Sequence, residues 1–187
     1  MRWTRLFDDL EARILREEIA ERSAEVAEHT RSVRGQVGLM DRLVAGRDQA
    51  VSLRLNGGSA VDGRMIDVGA DWVLLANSRA GGDPERNVLV ATSSVLSVKG
   101  LTVKVDAREG AASRRFDIRR ALREISRDRS TVQVIDIAGH PATGTIDRVG
   151  QDHFDIADHA ADVARRATAV RAEFSIPFAA LAMVRQL

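Results

Sequence analysis

The sequence predicts a mainly β protein with helices, of the α+β class: two tandem five-stranded bent β-barrels, an N-terminal amphipathic helical arm and a basic connecting helix. Three observations carry this reading. Apolar residues alternate with polar ones over residues 50–101 and again over 131–187, as they do on strands with one buried face. Before and between these stretches they recur at three- and four-residue steps, the helical spacing. Residues 63–72 also match residues 144–153 at a constant offset of 81.

The arm spans residues 1–49. Trp3, Leu6, Phe7, Leu10 and Ile14 fall on one stripe of a helix expected from residue 3 to about 28. Beyond Leu15 the stripe thins among Glu17, Glu18, Glu21, Glu25 and Glu28, which suits a solvated helix lying on a partner. Trp3, Phe7, Leu10 and Ile14 are therefore the candidate protein-binding residues. A second short helix is expected over residues 37–45, with Met40, Leu43 and Val44 inward and Gly46 as its left-handed cap.

From Val51 the period changes to two. Val51, Leu53 and Leu55 are followed by an Asn56-Gly57-Gly58 turn and by Val61, Gly63 and Met65, the pattern of a hairpin. A turn at Gly69-Ala70-Asp71, an apolar run from Trp72 to Ala76, a polar loop from Arg79 to Arg86 and the segments Val88–Val90 and Val95–Leu101 complete five short strands. Residues 102–130 form the basic linker. Phe116, Ile118, Leu122 and Ile125 have helical spacing there, with Arg115, Arg119, Arg120 and Arg123 on other faces. The second barrel occupies residues 131–187.

Self-similarity is the observation with the widest consequence, because a missed repeat misassigns a whole fold. Gly63, Val68, Gly69 and Asp71 lie over Gly144, Val149, Gly150 and Asp152. Val88, Val90, Val95 and Val98 lie over Phe174, Ile176, Leu181 and Val184 at an offset of 86, the difference falling in the loop from Asp158 to Arg171. Gly63 and Gly144 permit the bending that closes a small barrel, and Gly69 and Gly150 permit a tight turn. One unit built twice explains all of these coincidences.

The run Val51-x-Leu53-x-Leu55-Asn56-Gly57-x-x-x-Val61-x-Gly63-x-Met65, followed by Asp71-Trp72-Val73-Leu74-Leu75, resembles the first motif of the Sm-like family. The resemblance implies a helix-capped, strongly bent five-stranded barrel and RNA binding by rings of subunits. The polar residues that make RNA contacts in that family have no clear equivalent in Gly69-Ala70-Asp71, Thr92-Ser93-Ser94, Gly150-Gln151-Asp152 or Phe178-Ala179-Ala180. Barrel geometry is therefore implied and the RNA pocket is not. Met1-Arg2-Trp3 and Arg119-Arg120-Ala121-Leu122-Arg123 also resemble an uncharacterised actinobacterial family, which implies no function.

Composition narrows the function classes. The chain has 187 residues, 44% hydrophobic and 29% charged, the balance of a folded globular protein. It has no cysteine, so disulfides and thiolate metal sites are excluded. With no apolar run near the roughly 18 residues a membrane span needs and no leader-like start, a cytoplasmic location and no membrane partner are expected. The net charge of +1 hides a basic linker: residues 102–130 carry 9 Arg and Lys against 5 acidic residues.

No catalytic constellation is present, so no enzyme activity and no cofactor are expected. No serine sits in a nucleophile turn, and no glycine-rich loop opens a helix. Asp152, His153, Asp155, Asp158 and His159 cluster in sequence, but strand alternation scatters them and a metal site is not expected. The candidate nucleic-acid-binding residues are Arg114, Arg115, Arg119, Arg120, Arg123, Arg127 and Arg129, since guanidinium forks bind phosphates bidentately. The expected function is a non-enzymatic interaction protein that contacts RNA or a nucleoprotein complex, with homo-oligomers possible. The alternative is a protein-protein adaptor acting through the arm and barrel edges.

Overall fold

The computed structural model describes residues 37–77, 86–101, 116–161, 166 and 168–187, together with residues 13, 16, 19–25, 28, 32 and 35. The chain divides into two compact units, Met1–Gly38 and Leu39–Leu187. In the first, every described residue from 13 to 35 is helical. Ser32 and Gly35, beyond the expected helix end near residue 28, are helical as well. A lone glycine costs a helix only about 1 kcal/mol relative to alanine, too little to stop it. Trp3, Phe7, Leu10 and Ile14 lie outside the described residues. No helix among the described residues is long and apolar enough to cross a membrane.

The second unit runs α1 (Leu39–Ala45), β1 (Ala50–Leu55), β2 (Ala60–Val68), β3 (Trp72–Asn77), β4 (Arg86–Ala91), β5 (Val95–Lys99), α2 (Ile118–Asp128), β6 (Thr131–Asp136), β7 (Pro141–Val149), β8 (His153–Asp158), β9 (Ala172–Pro177) and β10 (Leu181–Gln186). All ten strands form one antiparallel sheet in the order β5-β1-β2-β3-β4-β10-β6-β7-β8-β9. The two closed barrels expected from the sequence are not formed. The edge of β4 is taken by β10, with Met183, Val184 and Arg185 opposite Val90, Leu89 and Val88. Backbone groups that closure would have satisfied within one half are satisfied by the other.

The ladders of the two halves coincide residue by residue. Val51 pairs with Gly63, and Val132 with Gly144. The register slips between Met65 and Asp67 in one half and between Ile146 and Arg148 in the other. Trp72 faces Ala91 as His153 faces Pro177. Leu55 faces Val95 as Asp136 faces Leu181, each beyond a bulge. Shifts of 81 residues for β1 to β3 and 86 for β4 and β5 relate every one of these pairs.

Two apolar cores result, one on each face of the middle strands. Val73, Leu75, Val88 and Val90 enter the first core with Leu43, Val44, Leu53 and Met65, and there they meet Ile135 and Met183 from the second half. Trp72, Leu89 and Ala91 enter the other core with Ile118, Leu122, Phe154, Ile156 and Val184. Strands buried on both faces read as continuous apolar runs, which is why Leu181 to Val184 carries no polar residue. Gly63 allows β2 and β3 to approach: a Cβ there would stand 2.5 Å from Ala76 O. Gly46 is not the left-handed cap of α1; Asp48 adopts that conformation, at φ 63°. Gly46 instead leaves room for Leu101 and Met65, 3.1 and 3.3 Å from where its Cβ would lie.

Candidate nucleic-acid interface

The start of α2 is fastened to the turn between β2 and β3. Trp72 Nε1 donates to Phe116 O at 3.0 Å, and Ala70 N donates to the same oxygen at 2.9 Å. Ile118 N donates to Asp71 Oδ1 at 2.6 Å. Asp117 is the N-cap and accepts from Arg120 N at 3.0 Å, satisfying an amide that the first helical turn leaves open. Burial pushes the Asp71 carboxyl above the usual carboxylate range; the Ile118 amide opposes this and the Asp117 charge reinforces it. The helix ends at Arg129 in the left-handed conformation, φ 56°. It begins at Ile118, and Arg114 and Arg115 lie outside the described residues.

Ile118 and Leu122 are buried in the second core, and the 3.6-residue period then turns the intervening positions outward. Arg119, Arg120, Arg123 and Arg127 line one groove of about 490 Å³ together with Asp117, Glu124 and Ala70. Their surroundings differ. Arg120 lies 4.3 Å from the Phe116 ring centroid, a cation–π arrangement. Arg127 pairs with Glu124 at 2.8 Å, both well exposed. Arg119 Nε is buried without a hydrogen-bond partner among the described residues. Arg123 is exposed and has no ion pair among them.

Four guanidiniums thus meet two carboxylates, one of which is occupied in capping the helix. Such a groove can hold phosphate oxygens by charge-assisted hydrogen bonds. Arg129 does not belong to it: its guanidinium lies 4.0 Å from Asp147, because the left-handed cap turns the chain toward β6. Asp128, at helical spacing for an arginine, instead accepts from the Ser130 hydroxyl. The acidic members of the groove, Asp117 and Glu124, already stand at helical spacing from its arginines in the sequence; what sequence reasoning missed is the role of the 69–72 turn, since nothing local places that turn against α2.

The histidine cluster also disperses. His159 is buried, its Nδ1 donating to Ala160 O at 2.9 Å, and in the neutral ring Nε2 accepts the Thr145 hydroxyl at 2.8 Å. His153 Nδ1 meets Asp152 Oδ1 at 2.8 Å on the surface. Among the described residues no group of three or more His, Asp or Glu side chains could hold a metal ion. Of the loops weighed for RNA contacts, Thr92–Ser94 is taken up internally: buried Ser94 Oγ donates to Ala91 O at 2.7 Å and lies 3.1 Å from Ala182 O. Gly69 and Gly150 have no positive φ; a Cβ would collide with the Trp72 ring at 2.2 Å or the His153 ring at 2.7 Å, so space rather than turn geometry calls for glycine.

Compared with protein-family models, curated proteins and solved structures, the chain matches none of them.

Proposed function

We propose that this chain is a duplicated, Sm-like β binding protein, without catalytic activity, that contacts RNA or a nucleoprotein complex through the arginine groove of α2. The observation that carries the proposal is the convergence of Arg119, Arg120, Arg123 and Arg127 on one groove, with Arg123 in no ion pair among the described residues. The groove gathers four guanidiniums against two carboxylates on one side of the helix. The matching registers of the two halves support duplication, and the helix that precedes each set of five strands suits the Sm-like reading.

The test is fluorescence anisotropy with labelled single-stranded RNA across a salt series. Four phosphate contacts predict a slope of log K against log salt of about −3, since each contact to a single strand contributes about −0.7. Arg123→Glu and Arg127→Glu together, both at exposed positions, are expected to abolish binding while leaving the circular dichroism spectrum unchanged. Absence of binding at low salt, or binding indifferent to this pair of substitutions, removes the groove from the function.

A further inference from the structure

We propose that the second half of the sheet binds a linear aliphatic polyamine, a methylene chain with an ammonium group at each end, in the groove beside β9. The site shares no residue with the arginine groove, and the inference stands apart from nucleic-acid binding.

The groove, of about 440 Å³, has an apolar wall of Val134, Ala142, Phe174 and Ile176, and Asp136 and Asp158 line it as well. Its lining residues include no lysine or arginine, so the field inside it is that of the carboxylates. Shifts of 81 and 86 residues place the four apolar residues over Leu53, Val61, Val88 and Val90 of the first half. Those four are buried in the first core with Leu43, Val44, Ile135 and Met183. The same surface is thus closed by apolar side chains in one half and open in the other. Its rim differs in the same sense: Asp136 stands where the first half has Leu55, and Asp158 where it has Asn77. An apolar wall with a few placed charges is the make-up of a small-molecule site, and here the charges call for a cation.

The two carboxylates sit at different levels of the groove. Asp158 faces Gly144 on β7, whereas Asp136 follows Ile135, which faces Pro141. From Pro141 to Gly144 an antiparallel strand rises about 10 Å, and Ala142, opposite Val134, lies in the interval. A compact cation reaches one carboxylate at a time; an apolar chain with two ammonium groups reaches both and covers the wall between them. Asp136 Oδ1 accepts the Ala138 and His140 amides, each at 2.9 Å, and Oδ2 has the exposed His140 ring at 3.3 Å. These bonds fix the carboxylate in place and favour its charged form. Half-buried Asp158 has no side-chain hydrogen bond or ion pair among the described residues, which leaves it open to an ammonium donor.

Isothermal titration calorimetry of the full chain with diaminooctane, spermidine and octylamine tests the site. Both polyamines should bind one per chain, and diaminooctane about fivefold more tightly than octylamine, the worth of one more partly exposed ion pair. Asp136→Asn and Asp158→Asn should each bring diaminooctane down to the affinity of octylamine, and Phe174→Ser should weaken both amines alike. Asp62→Asn, which removes an exposed carboxylate on β2, should change nothing. Circular dichroism identifies a variant that has not folded; Asp158→Asn, which breaks no hydrogen bond among the described residues, then decides. Absence of a saturable signal, equal affinity for diamine and monoamine, or binding that survives both aspartate substitutions overturns the proposal. So does a groove covered by a second copy of the chain, read as polyamine affinity that falls as protein concentration rises.

Discussion

Thr145 and His159 form a buried polar pair, both almost fully inaccessible, in which the imidazole finds both of its partners within the fold. Thr145→Val removes one partner and leaves a ring nitrogen stranded, which is expected to cost about 1–3 kcal/mol. The check is a lower denaturant midpoint with an unchanged m-value. Asp136 offers a pH-dependent case. Burial pushes its carboxyl up, but the His140 and Ala138 amides and the His140 ring together outweigh this and hold it below 3.8. A depressed folded pKa means stability that is present above 3.8 and lost as pH falls through the folded value. Protection of the Ala138 and His140 amides from exchange, relative to the unstructured rate at the same pH, should fall in that acid window, and Asp136→Asn should remove the pH dependence.

At the scale of the element, α2 is held more by its ends than by its length. Eleven residues are marginal for an isolated helix, so the Asp117 cap, the Asp71 bond to Ile118 N and the burial of Ile118 and Leu122 have to supply its order. Asp117→Ala is expected to lower stability by about 1 kcal/mol, read from the thermal midpoint. Asp117 also lines the arginine groove, so the same substitution removes a negative charge there. RNA affinity should then rise while stability falls, opposite signs that a purely structural helix would not show.

For the whole molecule the consequence of the β4–β10 joint is shared fate. Met183 and Ile135 lie in the core of the first half, and Trp72, Leu89 and Ala91 in that of the second, so neither half can open without exposing the other. Residues 39–187 should unfold in one transition. In a Trp3→Phe background, Trp72 fluorescence and far-ultraviolet circular dichroism should give coincident curves. Met183→Ala, which empties a buried site at the joint, should lower both together by about 2–5 kcal/mol. Two separated transitions would mean that the halves are independent domains that merely touch.

Sequence by itself determined the local elements, because each depends on near neighbours. The two-residue alternation at Val51, Leu53 and Leu55, the helical stripe of Ile118, Leu122 and Ile125 and the paired glycines at 63 and 144 all mark features that a strand, a helix face or a close crossing imposes wherever it occurs. The outward arginines of α2 were legible for the same reason. Only the tertiary structure decided which strand completes which edge. Alternation names the buried face of β4 and β10 but says nothing of hydrogen-bond partners in the plane of the sheet, so closure within each half and pairing between halves read alike. It was likewise tertiary contact that sent Arg129 to Asp147 instead of the groove, and that put Ala70, Asp71 and Trp72 against the start of α2: residues 44 and 47 positions apart meet there through burial, which leaves no periodic mark in the chain.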